Sequence, residues 1–216
     1  MLDPIWESIA DCYNTQTPLT KKYTCGQILN FTEHPSSEVR VWTAKALAYE
    51  EQSTPIIEML CKLSTDSDED VRIEAIDSLS NFTDPRSFDA LCHALGDPWE
   101  LIRAYAAYGV AVVGKETCPD TALSHLLALS ENESSNQVLL STYEGLYILG
   151  KHAYLSKLIF LFQTDDYHVK CAVINALAEI LSTENYSIIH EFTETLNPET
   201  LPASVNSAIM RLKQML

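Results

Sequence analysis

The chain has 216 residues, 46% of them hydrophobic, with 14 lysines and arginines against 30 aspartates and glutamates and a formal net charge of −16. So large an acid surplus disfavours direct nucleic-acid binding, which needs a basic face for phosphates. No apolar run approaches the roughly 20 residues that span a bilayer, and the sequence holds only six glycines and no phosphate loop, H-E-x-x-H or G-x-S-x-G.

The chain starts with MLDPIWESIADCYN. That stretch is acidic and lacks the basic segment and apolar core of a secretory leader, so the expected location is cytoplasmic, and a cap helix is expected over about residues 3–13. From there one phrase recurs: SSEVRVWTAKAL at 36–47, SDEDVRIEAIDSL at 67–79, PWELIRAYAAYGV at 98–110, SNQVLLSTYEGL at 135–146, DYHVKCAVINAL at 166–177 and PASVNSAIMRL at 202–212. Aligned on Val39, Val71, Ile102, Val138, Val169 and Val205, the copies are separated by 32, 31, 36, 31 and 36 residues, a period that signals a stacked array.

Each period has room for two helices. In the second, STPIIEMLCKLS places Ile56, Ile57, Leu60 and Leu63 at helical spacing, and DEDVRIEAIDSLSNF does the same with Val71, Ala75, Ile76 and Leu79. The turn TDSD between them supplies oxygens that can cap the second helix and acids that suit its dipole. Pro55, Pro85, Pro98, Pro119 and Pro202 fall near helix starts, where the missing N–H costs nothing. The expected organisation is one domain, 1–216, with helical hairpins over about 18–48, 53–82, 85–114, 119–150, 153–182 and 186–216.

VRIEAIDSLSNFTDPRSFDALCHALGDPWELIRAYAAYGVAVVG resembles HEAT repeats of the short, bilin-lyase type: Val-Arg, small residues on the next turn, a leucine, a loop with Asp-Pro, an apolar helix and a second aspartate. The resemblance runs over roughly 18–216. It weakens where Leu139 and Asn206 replace the arginine. It implies an all-α, right-handed α-solenoid of about six hairpins, in which Arg40, Arg72 and Arg103 each pair with an acid of a neighbouring turn as a structural contact.

Chemical constellations are thin. Cys12, Cys25, Cys61, Cys92, Cys118 and Cys171 form no C-x-x-C pair and mostly fall on apolar helix faces, so neither a disulfide framework nor zinc is expected. The deoxyhypusine hydroxylases, HEAT proteins that bind iron through several His-Glu pairs, are matched here by His190-Glu191 alone, with Glu33-His34 reversed. The HEAT-like alkylpurine DNA glycosylases need a basic inner face, which this composition denies. No metal, cofactor or catalytic residue is assigned, and the chain reads as a non-enzyme.

The acids are organised. Glu38, then Asp66, Asp68, Glu69 and Asp70, then Asp97 and Glu100, then Glu131 and Glu133, then Asp165 and Asp166 precede successive second helices. Stacking puts them on one edge as an acidic ridge, with more acids than capping requires. On the second helices, positions four, five and eight after the aligned residue are expected in the core, and positions three and six in the concavity. Position three carries Trp42, Glu74, Tyr105, Ser141, Ala172 and Ala208; position six carries Lys45, Asp77, Tyr108, Glu144, Asn175 and Arg211. Aromatic anchors flanked by acids suit a basic partner. The expected partner surface is therefore Trp42, Lys45, Asp68, Glu69, Asp70, Glu74, Asp77, Tyr105, Tyr108 and Glu144.

Three readings follow. The first is a monomeric protein that covers a basic protein, since acidic α-solenoids resemble some immunity proteins paired with cationic antibacterial nuclease toxins. The second is a bilin-lyase-like subunit holding a tetrapyrrole. The third is a scaffold of a larger assembly.

Overall fold

Residues 5–216 are described by the structure, a computed structural model of the chain; the first residues of the cap helix expected at 3–13 lie outside that span. After α1 (Ile5–Asn14), the helices come in pairs: α2 (Cys25–Thr32) with α3 (Ser37–Leu47), α4 (Thr54–Leu63) with α5 (Glu69–Leu79), α6 (Pro85–Ala94) with α7 (Glu100–Thr117), α8 (Pro119–Asn132) with α9 (Asn136–Ile148), α10 (Tyr154–Phe160) with α11 (Tyr167–Glu179), and α12 (Tyr186–Thr195) with α13 (Ala203–Met215). No strand occurs among the described residues, and the fold is an α-solenoid.

Local chemistry sets the helix starts. Pro55, Pro85 and Pro119 occupy the first turns of α4, α6 and α8, where an N–H has no helical partner. Asp68 caps α5 by accepting from the Asp70 and Val71 N–H groups, Asp84 caps α6, and Asp166 caps α11. Thr24 and Gln27 form a reciprocal capping box on α2. At its other end α9 closes in a Schellman motif: the Gly150 N–H donates to the Tyr147 carbonyl and the Lys151 N–H to that of Leu146, each at 2.9 Å, with Gly150 at φ +84°.

The aligned Val or Ile is the third residue of every second helix, α3, α5, α7, α9, α11 and α13. These helices stack on one another from end to end, with α1 against α3, and form a continuous inner layer. The outer helices pack on each other from α2 to α6. Core positions four, five and eight are buried in α3, α5, α7 and α11. In α13 only position four, Ile209, is buried; Met210 is 60% exposed and Lys213 is open, because no further helix among the described residues covers that face. Ala208, expected to face outward, is 2% exposed.

The arginines of the repeated phrase link successive units in one geometry. Arg40 on α3 donates from Nε and Nη2 to Asp66 at 2.7 and 2.8 Å, while its Nη1 donates to the His34 carbonyl at 2.7 Å. Arg72 on α5 grips Asp97 at 2.9 and 3.3 Å and the Asp66 carbonyl at 2.9 Å. Arg103 on α7 grips Glu133 at 2.8 and 3.3 Å and the Asp97 carbonyl at 2.9 Å. Each guanidinium therefore ties its own turn to the carboxylate of the next turn, and each carboxylate also organises its own loop. Asp66 accepts from the Asp68 N–H, Asp97 from Trp99, and Glu133 from Ser134 and Ser135. Bidentate, charge-assisted pairs with side chains 8–19% exposed are the strong kind. Burial pushes the Asp66 carboxyl up, but the hydrogen bonds from Arg40 and the Asp68 N–H and the charge of Arg40 hold it below its ordinary value. The bond from Arg103 does the same for Glu133.

The ladder ends at α9, where Leu139 stands in the arginine position. The core also divides there. One buried cluster runs from Ile9 to Leu146, and a second runs from Leu140 to Leu212. α7 and α9 make the closest junction. A Cβ on Gly145 would lie 2.9 Å from both the Ala111 Cβ and the Leu126 Cδ1, and Gly114 on α7 faces Ala122 of α8 more tightly still. α9 and α11 pack far less extensively.

Gly145→Ala is expected to lower the unfolding free energy by about 1–3 kcal/mol in urea titration, because overpacking against the fixed Ala111 Cβ outweighs the gain in helix propensity. Arg72→Ala is expected to cost about 2–3 kcal/mol, since Asp97 stays partly buried without its partner. A loss near zero would remove the ladder from the list of stabilising contacts.

Candidate functional site

The inner helices carry the expected partner surface, and its residues fall into three groups. At the N-terminal end, Trp42 is not a free anchor. α1 covers it: Trp6 stacks on its ring at 6.3 Å between centroids and Tyr13 meets it edge-on at 5.8 Å. Lys45 is also committed, paired with Glu74 at 3.0 Å with its ammonium 5.1 Å from the centre of the Trp42 ring. Burial raises the Glu74 carboxyl, with Lys45 opposing.

Further along, α5, α7, α9 and α11 together form a cleft of about 370 Å³. Asp77, Tyr105, Tyr108 and Glu144 line it, joined by Gln137, Asn175 and Glu179. Four of the expected residues thus meet in one place, and no basic side chain lines the cleft with them. Tyr105 is 40% exposed and Tyr108 half-buried. Asp77 is exposed by surface area, yet the surrounding walls still raise its carboxyl, with Lys45 opposing. Burial, then the charges of Asp77 and Glu74, raise the Tyr105 phenol; burial, then Glu144 and Glu179, raise that of Tyr108.

Glu144 is the most buried of the cleft's acids. It is 5% exposed, and among the described residues no donor or cation reaches its carboxyl. Burial, and after it the negative charge of Glu179, pushes it up to about 7. It also borders a second cavity of about 470 Å³, which shares Tyr108 and Glu179 and has Lys115 and His152 at its rim.

The edge of inter-helix turns is less freely acidic than a count of its acids implies. Asp66, Asp97 and Glu133 are occupied by the arginines, Asp68 and Asp166 cap helices, and Glu100 accepts from the Ser135 hydroxyl at 2.6 Å. Glu38, Glu69, Asp70, Glu131 and Asp165 remain. Trp99, 52% exposed at the start of α7, sits among these turns.

Sequence reasoning passed over Trp99 and Glu179. Trp99 lies outside the second-helix positions that were aligned. Glu179 is ten residues after Val169, one helical turn beyond position six on the same face, and extending the count by a turn would have reached it.

Residues 27–111 match the family of HEAT repeats. The matched stretch runs from α2 into α7 and contains all three arginines of the ladder; it is narrower than the 18–216 over which the sequence resembles such repeats. The chain is also similar to the crystal structure of an engineered protein from a structural genomics consortium, with a TM-score of 0.51 and 18% identity over 89% of this chain and 98% of that one. At that identity the likeness concerns the fold. No curated protein matches.

Glu144 gives a test with a definite sign. Its folded-state pKa of about 7 lies above the ordinary value of 4.5, so the folded protein holds a proton that the unfolded chain releases between those values. The stability carried by the neutral carboxyl is fully present below about pH 4.5 and is lost as pH rises through 7. Glu144→Gln is therefore expected to stabilise the protein at pH 8, by an amount on the order of 3 kcal/mol at most, and to change it little at pH 4.5. Thermal denaturation of both proteins across this range checks it.

Proposed function

We propose that this chain is a non-catalytic interaction solenoid that covers a positively charged protein through the inner faces of its second to fifth hairpins and the adjoining edge. The observation that carries the reading is the cleft in which Asp77, Glu144 and Glu179 converge beside two tyrosines with no basic side chain in its lining. The net charge of −16 and the acids left free at Glu69 and Asp70 extend the same polarity over the molecule. Solenoids of stacked hairpins use extended inner surfaces of this kind for binding, and a basic partner is both steered and selected by such a field. An immunity-type inhibitor of a cationic nuclease toxin is the member of this class that best fits a short acidic chain with no enzymatic motif. A tetrapyrrole fits the cleft poorly, because its propionates would meet three carboxylates and no cation.

The partner captured on wild-type protein and then purified allows a kinetic test. Charge reversal of Glu69 and Asp70 is expected to slow association severalfold and to flatten its salt dependence. Tyr105→Ala or Tyr108→Ala is expected to speed dissociation about tenfold or more, as for a desolvated aromatic anchor worth ~2 kcal/mol. Affinity indifferent to salt and to all four positions would end the reading.

A further inference from the structure

Glu144 differs from the other well-buried acids of this chain in having no structural task. Asp66, Asp97 and Glu133 hold arginines, Glu50 accepts from the backbone and hydroxyl of Thr20, and Asp68 and Asp84 cap helices. Among the described residues Glu144 caps nothing and pairs with no donor; its residue is 5% exposed while its carboxyl oxygens keep contact with the cleft, and drawing a carboxylate that far from water is costly. A group kept at such a cost, facing a cavity, is a candidate for contact with something outside the chain.

The surroundings state what that something is. Glu179 brings a second carboxylate, the side chains of Gln137 and Asn175 bring amide oxygens, and Tyr105 and Tyr108 bring flat aromatic faces. A guanidinium matches this set: it is planar, presents five N–H donors in a fixed fork, binds carboxylates bidentately and stacks on aromatic rings. An ammonium has three donors and no plane. The chain's own arginines already show the carboxylate half of this geometry at the Asp66, Asp97 and Glu133 sites. A cleft of about 370 Å³ is large enough for an arginine side chain.

We propose that the cleft seats an arginine side chain of the partner protein, its guanidinium between Glu144 and Glu179 and its face against the tyrosines. This rests on the reading that the partner is a basic protein, and it names the anchor of that interface. The charged and titratable groups around Glu144 are Asp77 on α5, Tyr108 and Lys115 on α7, Glu179 on α11, and His152 and Glu184 on the loops beyond α9 and α11. Arginine binding is accordingly expected to strengthen as pH rises from 5.5 to 8 and Glu144 ionises. Glu144→Gln tests that this dependence belongs to the Glu144 carboxyl.

The full-length protein is titrated with a blocked Gly-Arg-Gly peptide, with lysine and citrulline in the same frame, and with spermidine. The readout is the amide shifts of Ser141, Gly145 and Asn175 at pH 5.5 and 8. The arginine peptide is expected to shift these signals saturably and to bind at least tenfold more tightly than the citrulline peptide. Glu144→Gln, whose folding is checked by its melting, is expected to weaken it tenfold or more and to abolish the pH dependence. Equal binding of citrulline, no effect of Glu144→Gln, or tighter binding of spermidine overturns the proposal. If the cleft signals stay unmoved while reversal of Glu69 and Asp70 still slows association of the purified partner, the arginine seat fails and the basic-partner reading stands. If the peptide seats but the partner's affinity is unaffected by Glu144→Gln and by salt, both fail.

Discussion

The bidentate arginine link between successive inter-helix turns is the contact on which the regularity of this solenoid depends. Helical hairpins can slide and rotate on apolar faces alone, since burial of apolar surface is non-directional. Arg40, Arg72 and Arg103 remove that freedom, because each fixes two turns at once through a planar fork. The carboxylates complete the arrangement by folding their own loops, so that one pair sets both the spacing of units and the start of the next helix. Where Leu139 replaces the arginine, the link stops, the core splits, and the next junction is looser.

The candidate cleft lies at that change of regime. α7 and α9 are held close by Gly145 against Ala111, which draws Glu144 inward from the surface position its place in the repeat suggests. α11 packs less extensively on α9, and Asn175 and Glu179 border the space between them. Tight packing on one side and open packing on the other produce a buried carboxyl with a path to solvent. Its cost to stability and its access to the cleft come from one placement.

Much of this was legible in the sequence. The aligned Val and Ile marked one position of every second helix, and the arginine's structural task followed from the resemblance. What escaped depended on contacts with no place in the repeat. The fate of Trp42 was decided by α1, which follows a different pattern, so no period pointed to Trp6 and Tyr13 as its cover. Acids of the edge looked interchangeable, although Asp66, Asp97 and Glu133 are consumed by arginines 25 to 30 residues away. The depth of Glu144 came from an interhelical distance, which periodicity does not encode.

The uneven ladder has a mechanical meaning. A stacked array under load yields first at its least fastened junction, and here that junction lies between α9 and α11, past the last arginine. The stapled helices from α3 to α9 act as a stiff arm, and the pairs beyond act as a jaw on a compliant seam. The Glu144 cleft straddles that seam, with α5, α7 and α9 on the stapled side and α11 on the other, so its width is set where the array is least fastened.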